Sequence, residues 1–475
     1  MSDEKLIAKN FALLYVGEII GQILSFFLVI AIAHYFGDMG LGKYSFSFSF
    51  VTLFLIIADM GLPTLITKQI AKDKKFTHHH LTKTFTLKFL LNIATLIITI
   101  VVIYITRRDY ETILFVALAA VAMFFFNLAG IYRSVFQAYE IMKYEAYLKI
   151  VERAIATIIA IFLFYKGYGL IALFLILIFS NAIYYFSIFV IAKTKIASTS
   201  LSIDLQFWKK NLKEAMPFWI TIFFITFYFK IDTIMLTFMK GFEATGWYSA
   251  ALKIVEVITR VPFLLNVALF PALSRLNTLS YSKTKLLYEK SFYYMVLLAL
   301  PVVTGLTLLA DRIILYFYSQ EFVNSIIALQ ILSASLIFVF VNYLMGYLLN
   351  AINKEKLFTL SISITTIINV ILNFILIPKY SYAGAAFATL ICEVINFGIL
   401  YYFTLDNNFK IDLAKTFYKP FLANLVVLGL ILYLKHLHLI LIVILCAVGY
   451  FAALFLIKGV GKEEINVLRS LMQTK

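Results

Sequence analysis

The chain is divided almost from end to end into apolar runs of about twenty residues separated by short polar connections. A run of that length, coiled as an α-helix at about 1.5 Å per residue, covers the roughly 30 Å of hydrocarbon in a bilayer. Spans are predicted near 11–36, 44–66, 84–105, 112–135, 148–165, 168–192, 215–239, 247–272, 289–310, 325–350, 358–378, 382–404, 417–434 and 438–458. The predicted fold class is therefore an all-α polytopic membrane protein of about 14 transmembrane helices. Composition agrees: 63% of residues are hydrophobic and 14% charged, against about 45–50% and 25% in a soluble domain. Met1 to Asn10 lead into an apolar stretch too long for a signal sequence, with no small-residue cleavage pattern after it, so it is read as a retained first helix.

Charge in the connections sets the orientation. Of 41 Lys and Arg, five fall within spans and eight in one alternate set of loops: Lys43, Arg107, Arg108, Lys166, Lys240, Arg312, Lys379 and Lys435. The remaining 28 belong to the other set, made of both termini and the loops near 67–83, 133–149, 193–213, 275–290, 354–356 and 410–419. Basic loops stay in the cytoplasm, so both termini are expected there, in a plasma-membrane protein. The formal charge of +16 is thereby a topological signal and does not imply a nucleic-acid partner.

Little is left over for catalysis. The longest stretches outside the spans, 193–214 and 459–475, are too small for a catalytic domain, and no Walker motif, dinucleotide turn or metal-ligand spacing appears. His78, His79 and His80 sit in a basic loop and are read as solvated. Cys392 and Cys446 lie in apolar spans and are read as small buried hydrophobes. No cofactor is expected, and the chain is read as a transporter, not an enzyme.

The sequence repeats itself. Gly37, Gly42, Tyr44 and Ser45 meet Gly241, Gly246, Tyr248 and Ser249 at an offset of 204 residues, and Asn127, Gly169 and Asn181 meet Asn342, Gly384 and Asn396 at 215. The unit implied is six helices; an even number puts both copies into the membrane with the same orientation. The expected organisation is two parallel six-helix lobes around a central cavity, 1–193 and 194–404, followed by two additional helices in 405–475. Paired lobes around a midplane cavity are the architecture of alternating access.

Ionisable groups inside spans are the default functional candidates, because they are costly there unless paired or facing a wet cavity. The basic ones are Lys88, Arg153, Lys230, Lys253 and Arg260; acidic ones include Glu18, Asp59, Glu152, Asp232, Glu256 and Glu393. Lys253, Glu256 and Arg260 are spaced i, i+3, i+7 and share one helical face. Lys230 and Asp232 lie at a comparable depth on the preceding span, roughly 15 Å from its outer end. Two readings stand: a cationic wall on the cavity, or ion pairs Lys230–Glu256 and Asp232–Lys253 that lock the two spans together. Lys88 and Arg153 are near cytoplasmic ends, where long side chains can snorkel. Asp59, in ADMGLP with Pro63 behind it, is read either as a helix-end cap or as a functional carboxylate. Asp59, Asp232 and Glu256 are the candidates for exchanging a coupling ion, H+ or Na+, or for structural pairing.

Six segments, HYFGDMGLGKYSFSFSF with IADMGLPTLITKQIA, YFKIDTIMLTFMKGFEATGWYSAALKIVEV with LFPALSRL, ADRIILYFYSQEF, and LIPKYSYAGAAFATL, are spread over 34–390. In order and spacing they resemble the multidrug, oligosaccharidyl-lipid and polysaccharide exporter superfamily, in its polysaccharide-transporter branch with the O-antigen flippases. The resemblance implies two lobes leaning into a V that opens alternately to each face, moving a polyprenyl phosphate- or diphosphate-linked oligosaccharide from the cytoplasmic to the outer leaflet. It places the cationic cavity on Lys230, Lys253 and Arg260, and implies membrane lipids and glycan-assembly proteins as partners. The first helix carries Glu18 and no arginine, unlike the peptidoglycan-precursor flippase, and lacks the midmembrane Asp of many drug antiporters. An ion-coupled multidrug or metabolite antiporter and a non-transport component of glycan assembly are the alternatives.

Overall fold

The computed structural model describes residues 3–107 and 109–459, with side chains from Val16 onward. The side chains of the first ten residues, Arg108 and the tail 460–475, all counted in the charge argument, lie outside the described residues. Among the described residues there is no strand. The helices are α1 (Asp3–Asp59), α2 (Leu62–Lys72), α3 (Thr77–Thr106), α4 (Tyr110–Ala138), α5 (Lys143–Tyr165), α6 (Leu170–Lys195), α7 (Leu205–Leu279), α8 (Tyr281–Leu308), α9 (Ala310–Phe317), α10 (Ser325–Ala351), α11 (Glu355–Asp406), α12 (Leu413–Tyr433) and α13 (Leu439–Leu456). Ten of the described helices are long and apolar enough to cross a membrane.

Three helices are each two arms joined at one non-helical residue. α1 breaks at Gly37 (φ 66°, ψ −167°), α7 at Gly241 (φ 88°, ψ −176°) and α11 at Ser381 (φ 52°, ψ −133°). The loops expected between those pairs of spans are thus reduced to single residues. Gly37 and Gly241 are the repeat partners, and their dihedrals match: positive φ with extended ψ, a combination essentially confined to glycine. Five residues on, a Cβ on Gly42 would lie 1.9 Å from the Phe242 carbonyl oxygen, and one on Gly246 would lie 2.0 Å from that of Asp38. The two kinked helices therefore cross backbone to backbone, each copy of the repeat offering a glycine to the other's carbonyl. Around the Gly241 kink, Thr245 Oγ1 donates to the Gly241 carbonyl (2.8 Å) and pairs with Thr237 Oγ1 (2.8 Å).

The chain forms two compact units, Met1–Gly246 and Trp247–Lys475, whose boundary falls inside α7. The interior of the first is built where α2, α3, α4 and α6 meet, around Ile70, Leu81, Tyr132, Phe136, Tyr184 and Ile188. A smaller cluster, Leu62, Leu65, Leu87, Trp208 and Ala215, seats the start of α7. The connection from α6 to α7 is tied along α3: Ser202 N donates to Thr86 Oγ1 (2.9 Å), Trp208 Nε1 to the Lys83 carbonyl (2.9 Å), and Lys83 Nζ to Asp204 Oδ2 (2.5 Å). The Lys83 ammonium holds the Asp204 carboxyl below the usual carboxylate range.

In the second unit α10 packs between α8 and α11, and α12 and α13 dock on α8. Asn424 Nδ2 donates to Thr304 Oγ1 (2.7 Å) and Tyr450 OH to the Leu297 carbonyl (2.7 Å), giving two donors partners that hydrocarbon would not supply. The other side of α13, with Ile440, Val443, Ile444, Val448 and Phe451, is exposed and apolar, as a lipid-facing surface must be.

Candidate functional site

Asp59 ends the second arm of α1. Met60 and Gly61 then take left-handed backbone (φ 45° and 68°), and Pro63 enters at the start of α2. The break aims the carboxylate at α3, where Lys88 Nζ donates to Asp59 Oδ1 at 3.0 Å. The Lys88 side chain is 0% exposed and that of Asp59 26%. The snorkelling anticipated for Lys88 is therefore corrected: a carboxylate in contact substitutes for the water a snorkelling ammonium seeks, so the charge stays inside. Below it, Asn92 Nδ2 donates to the Lys88 carbonyl (2.8 Å), and Asn92 Oδ1 accepts from Asn127 Nδ2 (3.1 Å). Arg133, on α4, reaches toward the same place. Its Nη2 and Lys88 Nζ stand 3.3 and 3.4 Å from where Gly130 would carry a Cβ.

Other charges of the first unit are paired. Arg153 Nε is 3.5 Å from Glu152, which is buried and also takes the Ser180 hydroxyl at 3.4 Å. Lys149 bridges to Glu18, and buried Glu145 accepts from Gln137 Nε2 at 3.2 Å. Lys230 is half-buried and Asp232 buried on the first arm of α7, and both are engaged by neighbouring groups.

Lys253, Glu256 and Arg260 belong to the second unit, half-buried on the second arm of α7. Lys253 Nζ is 3.4 Å from Glu256 Oε2, an i, i+3 pair with side chains 12% and 37% exposed. One turn further, the Arg260 guanidinium lies 5.9 Å from the Phe263 ring, which in turn contacts Tyr343. Buried Glu393 accepts from Asn342 Nδ2 at 2.8 Å, and the charges of Arg260 and Glu393 both act on Tyr343. This gives the wall of the second unit cations, a carboxylate and phenol and amide groups within a few turns, a donor set suited to phosphate and sugar hydroxyls. Of the repeated asparagines, Asn127, Asn342 and Asn396 tie helices together, the last by accepting from Ser361 Oγ at 2.6 Å.

Sequence reasoning missed Arg133, which stands where the expected span 112–135 and the basic connection 133–149 overlap and was assigned to the connection, whereas α4 runs on to Ala138. A usable signal was Asn127, Gly130 and Ser134 at i, i+3, i+7, a small and polar face that lipid would not receive.

Residues 7–277 match the family described as polysaccharide biosynthesis protein. An uncharacterized membrane protein of Methanocaldococcus jannaschii is 28% identical over 245 residues, covering 50% of this chain and 47% of that protein. The probable flippase AglR of Haloferax volcanii is 27% identical over 249 residues, 50% of each. The chain thus spans about half the length of these relatives. Among solved structures, the lipid II flippase MurJ in an inward closed conformation superposes with a TM-score of 0.77 at 18% identity, over 93% of this chain and 98% of that one. An inward-facing multidrug resistance MATE family transporter of the MOP superfamily gives 0.67 at 12% identity, over 82% and 94%. The chain shares their transporter fold.

Proposed function

The chain belongs to the polysaccharide biosynthesis protein family, and from that premise we propose that it is a flippase carrying a polyprenyl phosphate- or diphosphate-linked oligosaccharide from the cytoplasmic to the outer leaflet of the plasma membrane. The observation that carries the reading is the second arm of α7, which sets two cations, Lys253 and Arg260, on one face against a single carboxylate, Glu256. An organic cation would be repelled by that set, whereas an anionic headgroup is attracted by it. The probable flippases among the relatives support the same choice.

The lobes are 1–193 and 194–404, with 405–475 beyond them. Counting each arm of α1, α7 and α11 as a crossing, and adding α5, makes fourteen, with both termini cytoplasmic. The bilayer core rejects a headgroup of phosphates and hydroxyls. Lys230, Lys253 and Arg260 replace its phosphate solvation, side-chain amides and phenols replace that of the sugars, and the prenyl tail stays in lipid. An inside-negative potential favours outward movement of an anion by about 2.3 kcal/mol per charge per 100 mV. Asp59, Asp232 and Glu256 are the carboxylates available for coupling to H+ or Na+, and enzymes that build and extend the glycan are the expected partners.

The test is transfer in reconstituted vesicles. Candidate polyprenyl-linked oligosaccharides are presented on one leaflet, and their appearance on the other is followed for the wild type and for the triple variant K230Q/K253Q/R260Q. Transfer by the wild type and its loss in an inserted, folded triple variant are expected; transfer that survives all three substitutions sinks the proposed site.

A further inference from the structure

The Asp59–Lys88–Arg133 cluster has charge that no contact accounts for. Asp59 neutralises Lys88 at 3.0 Å. Arg133, by contrast, has only the face of Phe126, 4.6 Å from its guanidinium carbon, and among the described residues makes no hydrogen bond or ion pair. Its carboxylate neighbour Glu145 acts on it only from beyond ion-pair distance, being held by Gln137. An arginine with five donors set in a fork, half-buried in a helical unit and left without an acceptor, has forgone contacts that a bound anion would restore. Gly130 lets the two cations close in: Arg133 Nη2 and Lys88 Nζ both pack against it, 3.3 and 3.4 Å from where a Cβ would stand, so one phosphoryl or diphosphoryl group beside them is within reach of both. Asp59 completes the arrangement. Its carboxylate is the exposed member of the pair, so an arriving anion can displace it from Lys88 without uncovering an unpaired ammonium.

We infer that Arg133, backed by the Lys88–Asp59 pair, is a second anion-binding subsite that takes the phosphoryl end of a lipid-linked substrate on the cytoplasmic side. The inference rests on the flippase reading and on the orientation proposed with it. Arg133 lies five residues from the end of α4 that leads into the basic 133–149 connection, so it stands about 8 Å inside that end.

Binding to the purified full-length protein tests this, with farnesyl diphosphate as the lipid-linked probe and inorganic pyrophosphate as the free anion. Trp219 is a built-in fluorescent reporter, since its Nε1 donates at 3.0 Å to the carbonyl of Ile56, one turn from Asp59. Farnesyl diphosphate is expected to bind about tenfold or more weakly to R133Q, with R133K recovering most of the loss. The melting temperature of R133Q stays at the wild-type value, because Arg133 has no acceptor to lose, while K88Q melts lower. Wild-type affinity in R133Q, or a melting temperature that falls as in K88Q, makes Arg133 a structural cation and overturns the inference. Pyrophosphate binding as tight as farnesyl diphosphate and equally dependent on Arg133 overturns the lipid-linked assignment. Transfer in vesicles separates the two proposals: if the wild type flips its substrate, the triple α7 variant does not, and R133Q binds normally, this inference falls while the flippase reading stands.

Discussion

At the scale of single residues, Lys88 and Lys253 bear the same charge in opposite circumstances. Lys88 is fully enclosed against Asp59, and removing one member of such a pair strands the other, at a cost of about 3–5 kcal/mol. Unfolding of D59N or K88Q in detergent should show a loss of that size, and D59N/K88Q should recover much of it; additive losses would mean that the contact is not the source. Lys253 instead pairs with a carboxylate 37% exposed, an arrangement that contributes roughly 0.2–0.5 kcal/mol. Loss of the Glu256 contact alone should change the unfolding of K253Q little, and transfer lost with a near-wild-type melt then reports on substrate; a drop of the size expected for K88Q would hand Lys253 to a structural role. Asp59 was legible in the sequence as an ionisable group beside a proline. Its partner was not, because 29 residues of separation across two helices leave no periodic trace, whereas the i, i+3, i+7 face of α7 is a property of one helix and could be read directly.

At the scale of elements, the apolar windows located the helices well but not their ends. Window hydropathy cannot see that a glycine of positive φ turns a helix within one residue, so α1 and α7 were read as spans with loops between them. The repeat carried the missing information: of the four identities at offset 204, one falls on the kinks, Gly37 and Gly241, and one on the glycines at their crossing, Gly42 and Gly246. Gly42→Ala should lower the melting temperature, since a Cβ 1.9 Å from the Phe242 oxygen forces the helices apart at a cost of about 1–3 kcal/mol; an unchanged melt would show that the crossing is loose. The α6–α7 connection makes a pH prediction. Asp204 is held below the ordinary carboxylate range by Lys83, so its contribution is fully present above the unfolded carboxylate range and is lost only as pH falls through the depressed folded value. At neutral pH, D204N should loosen the connection and expose residues 197–204 to limited proteolysis; equal resistance to protease would remove Lys83–Asp204 from the docking.

At the scale of the whole molecule, the basic residues of the connections divide 28 to 8, and a single added or missing crossing would exchange every later loop. Cysteines placed at positions 78 and 379 should accordingly react with an impermeant reagent from opposite faces of the membrane, and reaction from one face would break the count between them. The Asp59–Lys88 contact also bears on how the chain is made. A lysine enclosed within an isolated span resists insertion, by up to roughly 2.5–3.5 kcal/mol at the span's centre and less toward its end, where Lys88 stands, yet Asp59 emerges from the ribosome 29 residues earlier and ends the segment inserted just before. The two charges can enter the bilayer as one neutral hairpin, so loss of Asp59 falls on biogenesis as well as on the finished protein. D59N should be made at normal rates, integrate poorly at α3 and be degraded early, before substrate is ever met.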